Sequence, residues 1–223
     1  MVRAARRISR NRFEFEQGLL RQGHVRIAGV DEAGRGPLAG PVVAAAVILP
    51  AEWMTAVLPR ALIGLNDSKQ LTEAERTRYY ELLMQEQQVA YGIAVLDTEL
   101  VDRLNILRAT HRAMNEALDR LRPPPDHVLV DGLPVRSIRV PQTSIVQGDS
   151  RSYSIAAASV LAKVTRDRLM LEYDRAYPQY GFACHKGYGT AEHFRAIQEH
   201  GPCPIHRRSF APFRPVQIQM LPG

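Results

Sequence analysis

The chain has 223 residues, with 29 lysines and arginines against 23 acids, a formal charge of +6. A composition 45% hydrophobic and 23% charged excludes wholesale disorder, and the length suits one domain whose core needs no disulfide or metal staple. The longest apolar run, residues 42–49, is too short to cross a bilayer, so no membrane association is expected.

The charge sits at the ends. Residues 1–26 carry +5 and 201–223 carry +3, leaving −2 between them. Such ends suit either a polyanion partner or solvated tails. The Arg-rich start has no apolar stretch of the kind a secretory signal needs, and a cytoplasmic protein is expected. Within a basic extension over 1–24, residues 9–22 pattern as a short helix.

Residues 24–30 read as a strand ending at Asp31-Glu32, and the turn Ala33-Gly34-Arg35-Gly36-Pro37 follows. Residues 40–49, apolar throughout and closed by Pro50, fit a buried central strand. Thr72-x-x-Glu75 is a capping box opening a helix to about residue 88. Residues 89–96 give a third strand. Residues 106–121 give a helix with Leu107, Met114, Ala117, Leu118 and Leu121 on one side, stopped at Pro123-Pro124-Pro125.

Two short strands come next, 127–130 ending in Asp131-Gly132 and 144–147 ending in Gly148-Asp149. A long helix is predicted from Ser150 to about Ala176, and its small residues Ala156, Ala157, Ala158 and Ser159 permit close packing on a sheet. Residues 182–190 read as loop and 191–200 as helix. The Pro-rich tail beyond reads as surface. The alternation predicts an α/β domain with a mixed sheet flanked by helices and a short C-terminal helical segment. Its span is 25–212, with 213–223 a tail.

Asp31-Glu32, Asp131 and Asp149 share one placement, the end of an apolar strand followed by small residues. Ligands of open α/β sheets bind beyond the carboxyl ends of the strands. Clustered carboxylates there need a counter-cation, and Mg²⁺ or Mn²⁺ suits an all-oxygen set better than zinc. Turn formation and capping are the competing explanations: Asp before Gly is a common turn residue, and Asp149 could cap the long helix. Neighbours on a regular strand also face opposite ways, so Asp31 and Glu32 reach one site only if the strand ends or distorts there. Gly34-Arg35-Gly36 offers backbone N–H groups without bulk, yet it is neither a Walker loop nor a dinucleotide fingerprint. Cys203-x-x-His206 and Cys184-His185 lack the paired spacing of a structural zinc site.

The run from Gly29 to Val43, GVDEAGRGPLAGPVV, resembles the opening signature of ribonuclease HII. The resemblance continues through NDSKQL at 66–71, VDG at 130–132, GDS at 148–150, SIAAASVLAKVTRD at 154–167, HKGYGT at 185–190 and HRRSF at 206–210. It implies a ribonuclease H-like fold and two divalent ions, Mn²⁺ or Mg²⁺, held by Asp31, Glu32, Asp131 and Asp149. It implies hydrolysis of the RNA strand of RNA/DNA hybrids and cutting 5′ of single ribonucleotides in duplex DNA, leaving 3′-hydroxyl and 5′-phosphate. Gly34, Arg35, Gly36 and Tyr188 would read the 2′-hydroxyl, the group that distinguishes the sugars.

Lys69, Lys163 and Lys186, the only lysines, each fall in a matched motif and are candidate phosphate contacts. An ion pair serves the mid-helix Lys163 equally well. Asp167 is expected to pair within its helix and stay outside the site. A monomer is expected, and the tail Gln217-Ile218-Gln219-Met220-Leu221 lacks the aromatic pair of a clamp peptide. The competing functions are another ribonuclease H-like nuclease and a duplex-binding protein without catalysis. An HIII-type enzyme would add an N-terminal domain that 24 residues cannot form.

Overall fold

The apolar runs of the sequence become the middle of a sheet. The computed structural model describes residues 11–56 and 58–213, so Arg3, Arg6, Arg7 and Arg10 of the basic start and the tail peptide lie outside it. In chain order the elements are α1 (Glu14–Arg21), β1 (Ile27–Ala33), β2 (Val42–Ile48), α2 (Ala51–Thr55), α3 (Glu73–Gln85), β3 (Ala90–Leu96), α4 (Thr98–Leu104), α5 (Ile106–Asp119), β4 (His127–Asp131), β5 (Gln142–Ile145), α6 (Tyr153–Ala176), α7 (Phe182–His185) and α8 (Ala191–His200). The sheet order is β3-β2-β1-β4-β5. β1 pairs antiparallel with β2 and parallel with β4, and β5 runs parallel to β4.

Every residue of β2 is buried, as a central strand covered on both faces requires. Side chains alternate across it. Val43, Ala45 and Val47 join Ile27 and Leu129 under α3 and α6, while Val42, Ala44 and Ala46 join Val30 and Val130 under α5. The domain is therefore three layers, helix–sheet–helix. The small residues of α6 do what their size allows: its backbone at Ser154 and Ile155 lies so close to Gly29 that a Cβ there would overlap it.

Several local signals hold. Thr72 and Glu75 complete their capping box, with Glu75 N to Thr72 Oγ1 at 3.3 Å and Thr72 N to Glu75 Oε2 at 2.8 Å. Other expectations are corrected. Asp149 does not cap the long helix. It sits in a 3₁₀ turn at Gly148–Ser150, and Ser152 caps α6 by accepting from Ile155 N at 3.2 Å. Leu107 is exposed on α5 rather than sharing the buried side of Met114, Ala117 and Leu118. α2 and α4 are additional helices, and part of the 182–190 loop is the single turn α7. The Pro-rich stretch after α8 is not surface throughout: Cys203, His206 and Arg207 are buried, and Ala39 bridges to His206. Among the described residues no helix is long and apolar enough to cross a membrane.

Candidate active site

β1 and β4 run parallel with Val30 opposite Val130, so Asp31 and Asp131 stand side by side where the pairing of these two strands ends. Asp149 arrives from the turn after β5. One carboxylate oxygen from each of the three lies within 4.8 Å of the others, the one such metal-compatible group among the described residues. Asp131 Oδ1 also accepts from Gly148 N at 2.7 Å, which ties the β4 end to the turn bearing Asp149.

Glu32 diverges from this trio. β1 stays paired with β2 through Ala33, and adjacent strand residues face opposite ways. The Glu32 carboxylate accepts instead from Arg35 Nη1 at 3.2 Å. It lines a cavity of about 410 Å³ bounded by Gly34, Gly36, Lys69, Lys163 and Tyr188. A second cavity of about 310 Å³ lies over Asp131 and Asp149, and Lys69 lines both.

The electrostatics call for a cation. Burial, then Glu32 and Asp131, push Asp31 well above the usual carboxylate range, against an opposing hydrogen bond from the Glu32 amide at 2.7 Å. Burial, then Asp131 and Asp67, raise Asp149 to about 6. Burial raises Glu32 as well, with Arg35 offsetting part of the effect. Burial alone would lower Lys69, but the summed field of Asp31, Asp67, Asp149 and Asp131 outweighs it and raises the ammonium. Three crowded carboxylates facing one lysine are undercompensated, and an all-oxygen donor set of this spacing fits a hard divalent ion.

The other candidate lysines are already engaged. Lys163 lines the larger cavity but donates to Asp167 at 2.7 Å, and Asp167 is not among the clustered carboxylates. Lys186 Nζ donates to Ala183 O at 2.5 Å and lines neither cavity. The Tyr188 side chain is 48% exposed, and its ring stands where a Cβ on Gly36 would touch it at 3.6 Å.

Three supports have no counterpart in the sequence reading. Arg207 donates to the carbonyls of Gly34 (2.6 Å), Arg35 (3.1 Å), Gly40 (3.0 Å from Nε) and Pro41 (3.1 Å). Arg166 takes Pro41, Ala39 and Lys186 carbonyls, each at 3.0 Å. Two buried guanidiniums thus clamp the Gly-Arg-Gly turn to the turn before Tyr188. Burial, then Arg166, lowers Arg207 to about 9, so it stays charged at neutral pH. The third support comes from the N-terminal extension. Arg12 donates to Asp149 O at 2.6 Å and packs on the Tyr153 ring, and buried Glu16 accepts from Ser152 Oγ (2.6 Å) and Ser154 N (3.1 Å). An arginine at an apolar helical position was the available signal for Arg166; for Arg12 and Glu16 there was none.

The ribonuclease HII family profile matches residues 28–213, which includes every site residue above except Arg12 and Glu16. The chain belongs to the ribonuclease HII family. A ribonuclease HII of Syntrophotalea carbinolica is 56% identical over 196 residues, 88% of this chain and 90% of that protein. In fold, the crystal structure of ribonuclease H2 from Pyrococcus horikoshii aligns with a TM-score of 0.68 and 27% identity, covering 83% of this chain and 94% of that one. The structure of Bst-RNase HIII in complex with Mn²⁺ aligns at 0.65 and 22% identity, over 85% and 68% of the two chains. Membership makes this chain a hydrolase, an endonuclease of the ribonuclease H class.

Proposed function

We propose that the enzyme cuts the RNA strand of RNA/DNA hybrids and cuts 5′ of single ribonucleotides in duplex DNA, with Asp31, Asp131 and Asp149 holding divalent ions, Mg²⁺ or Mn²⁺, and with Glu32 as a fourth acid that reaches them only by leaving Arg35. The observation that carries this reading is the pair of cavities sharing Lys69. One is lined by acids and suits ions with the scissile phosphate. The other is lined by Gly34, Gly36 and Tyr188 and has room for one nucleotide sugar.

Bound divalent ions would lower the pKa of an attacking water and stabilise the leaving 3′ oxygen, giving 3′-hydroxyl and 5′-phosphate. The chain's own groups do the rest. Lys69 stays protonated between the cavities and neutralises phosphate charge. Arg35 holds Glu32. The Arg207 clamp fixes the carbonyl side of the Gly34-Arg35-Gly36 turn, while the Arg35 and Gly36 amides donate to no backbone acceptor outside the helices and strands among the described residues. Those amides and the Tyr188 hydroxyl are the donors and acceptors a 2′-hydroxyl requires.

The test uses a duplex oligonucleotide with one embedded ribonucleotide, incubated with Mg²⁺ or Mn²⁺. Wild type cuts at the ribonucleotide, leaving a 5′-phosphate, and Asp31→Asn loses at least about 100-fold. Cleavage of an all-DNA control, or full activity in Asp31→Asn, overturns the reading.

A further inference from the structure

Beneath the turn that carries Tyr188 lies a buried group that the reaction does not touch: His193, His206 and Cys203, with half-buried His185 beside them. Their hydrogen bonds leave one consistent arrangement of protons. The Cys203 amide can only donate, so His206 Nδ1, 2.9 Å away, is an acceptor. The Cys203 carbonyl near that nitrogen already accepts from the His206 amide at 3.1 Å. His206 Nε2 therefore carries the proton and gives it to His193 Nε2 at 3.0 Å. His193 Nδ1 then carries the other proton and donates to the Tyr188 carbonyl at 2.9 Å, which can only accept.

His185 is fixed by the same logic. Its Nδ1 accepts from the Gly187 amide at 3.1 Å, so Nε2 donates to Tyr180 O at 2.7 Å. Its ring stacks on that of His193, with centroids 4.3 Å apart. The imidazoles of His193 and His206 are neutral. Burial, then the neighbouring His193, lowers His206 to about 4, and burial lowers His193 in turn. His206 spends both ring nitrogens in the chain, which leaves no lone pair for a metal ion.

The chain ends on a functional element. Lys186 stands at φ 51°, in the left-handed region that a residue with a side chain enters at a cost, and Gly187 follows at 83°. The residue that follows places its ring over Gly36.

We propose that His193 and His206 are positioning residues for ribose selection: a one-way relay of neutral imidazoles, starting at the Cys203 amide, sets the Tyr188 ring against the Gly-Arg-Gly turn. This rests on the role given above to Tyr188.

Two measurements test it. Nitrogen-15 NMR of the imidazoles at neutral pH must show His206 protonated at Nε2, His193 at Nδ1 and His185 at Nε2; the opposite tautomer at His206 or His193 overturns the relay. The second is a double-mutant cycle on the single-ribonucleotide duplex. His193→Ala lowers kcat/KM about tenfold when Tyr188 is present and less than about twofold in a Tyr188→Ala background, with Mn²⁺ affinity unchanged. Equal losses in both backgrounds, or no loss in either, overturn the proposal. If Tyr188→Ala costs activity and the histidine variants do not, the relay alone falls. If Tyr188→Ala costs nothing, the relay and the Tyr188 assignment fall together.

Discussion

Arg207→Met removes the guanidinium that clamps the Gly-Arg-Gly turn and keeps the length of the side chain. Arg207 is fully buried, and its fork reaches four carbonyls. Pro41 keeps a second donor in Arg166, while Gly34, Arg35 and Gly40 lose the donor described for them. At about 1.5–3 kcal/mol for each charge-assisted bond the gross loss is about 5–9 kcal/mol. Relief of the buried charge offsets part, for a net of about 3 kcal/mol. In a domain of this size that corresponds to a fall in Tm of about 6–12 °C. The assay is urea unfolding beside calorimetry, with cleavage measured in the same preparations. Arg207→Lys keeps the charge but not the planar fork, and restores neither stability nor selectivity for ribose in full. A methionine variant within about 1 kcal/mol of wild type, or full rescue by lysine, would refute the clamp.

Acid sensitivity follows from the histidines. His206 is held at about 4 against an ordinary 6.5, faced by His193, His185, Cys203, Tyr180 and Arg208. The unfolded chain takes up a proton below pH 6.5 that the folded chain refuses until about pH 4. Stability therefore falls as pH drops through that window, by about 3 kcal/mol in total from this residue. The raised carboxylates act in the opposite sense, so the quantity to compare is the pH slope of the urea midpoint in wild type and His206→Gln; equal slopes would contradict the assignment. At the other end of the chain, Glu16→Ala strands the Ser152 hydroxyl and the Ser154 amide at the start of α6. It should lower stability by about 2–3 kcal/mol and weaken Mn²⁺ binding through Asp149. An unchanged urea midpoint and unchanged Mn²⁺ titration would show that Glu16 does not support the start of α6.

What the sequence discloses and what it hides have different ranges. Asp31, Asp131 and Asp149 were legible because an apolar run ending in an acid and a small residue is a local pattern, and parallel strands bring such ends together. The Thr72–Glu75 box was legible because both halves lie three residues apart. The alternative of Asp149 as the helix cap falls to Ser152, three residues further on, because Asp149 belongs to the 3₁₀ turn that precedes the helix. Arg166 and Arg207 were hidden because a guanidinium in a motif reads as surface charge, and their acceptors lie 20 to 173 positions away. The divergence of Glu32 needed the register of β1 with β2, which only the folded sheet supplies.

Arg12 holds the carbonyl of Asp149, and Arg207 holds that of Gly34. The site is thus closed by contacts that join the two ends of the chain across its middle. During synthesis all three carboxylates leave the ribosome before Arg207 does. A growing chain therefore owns its cluster of acids before it owns the guanidinium that clamps the Gly-Arg-Gly turn. The turn that lines the larger cavity therefore takes its final shape only after the acids are in place.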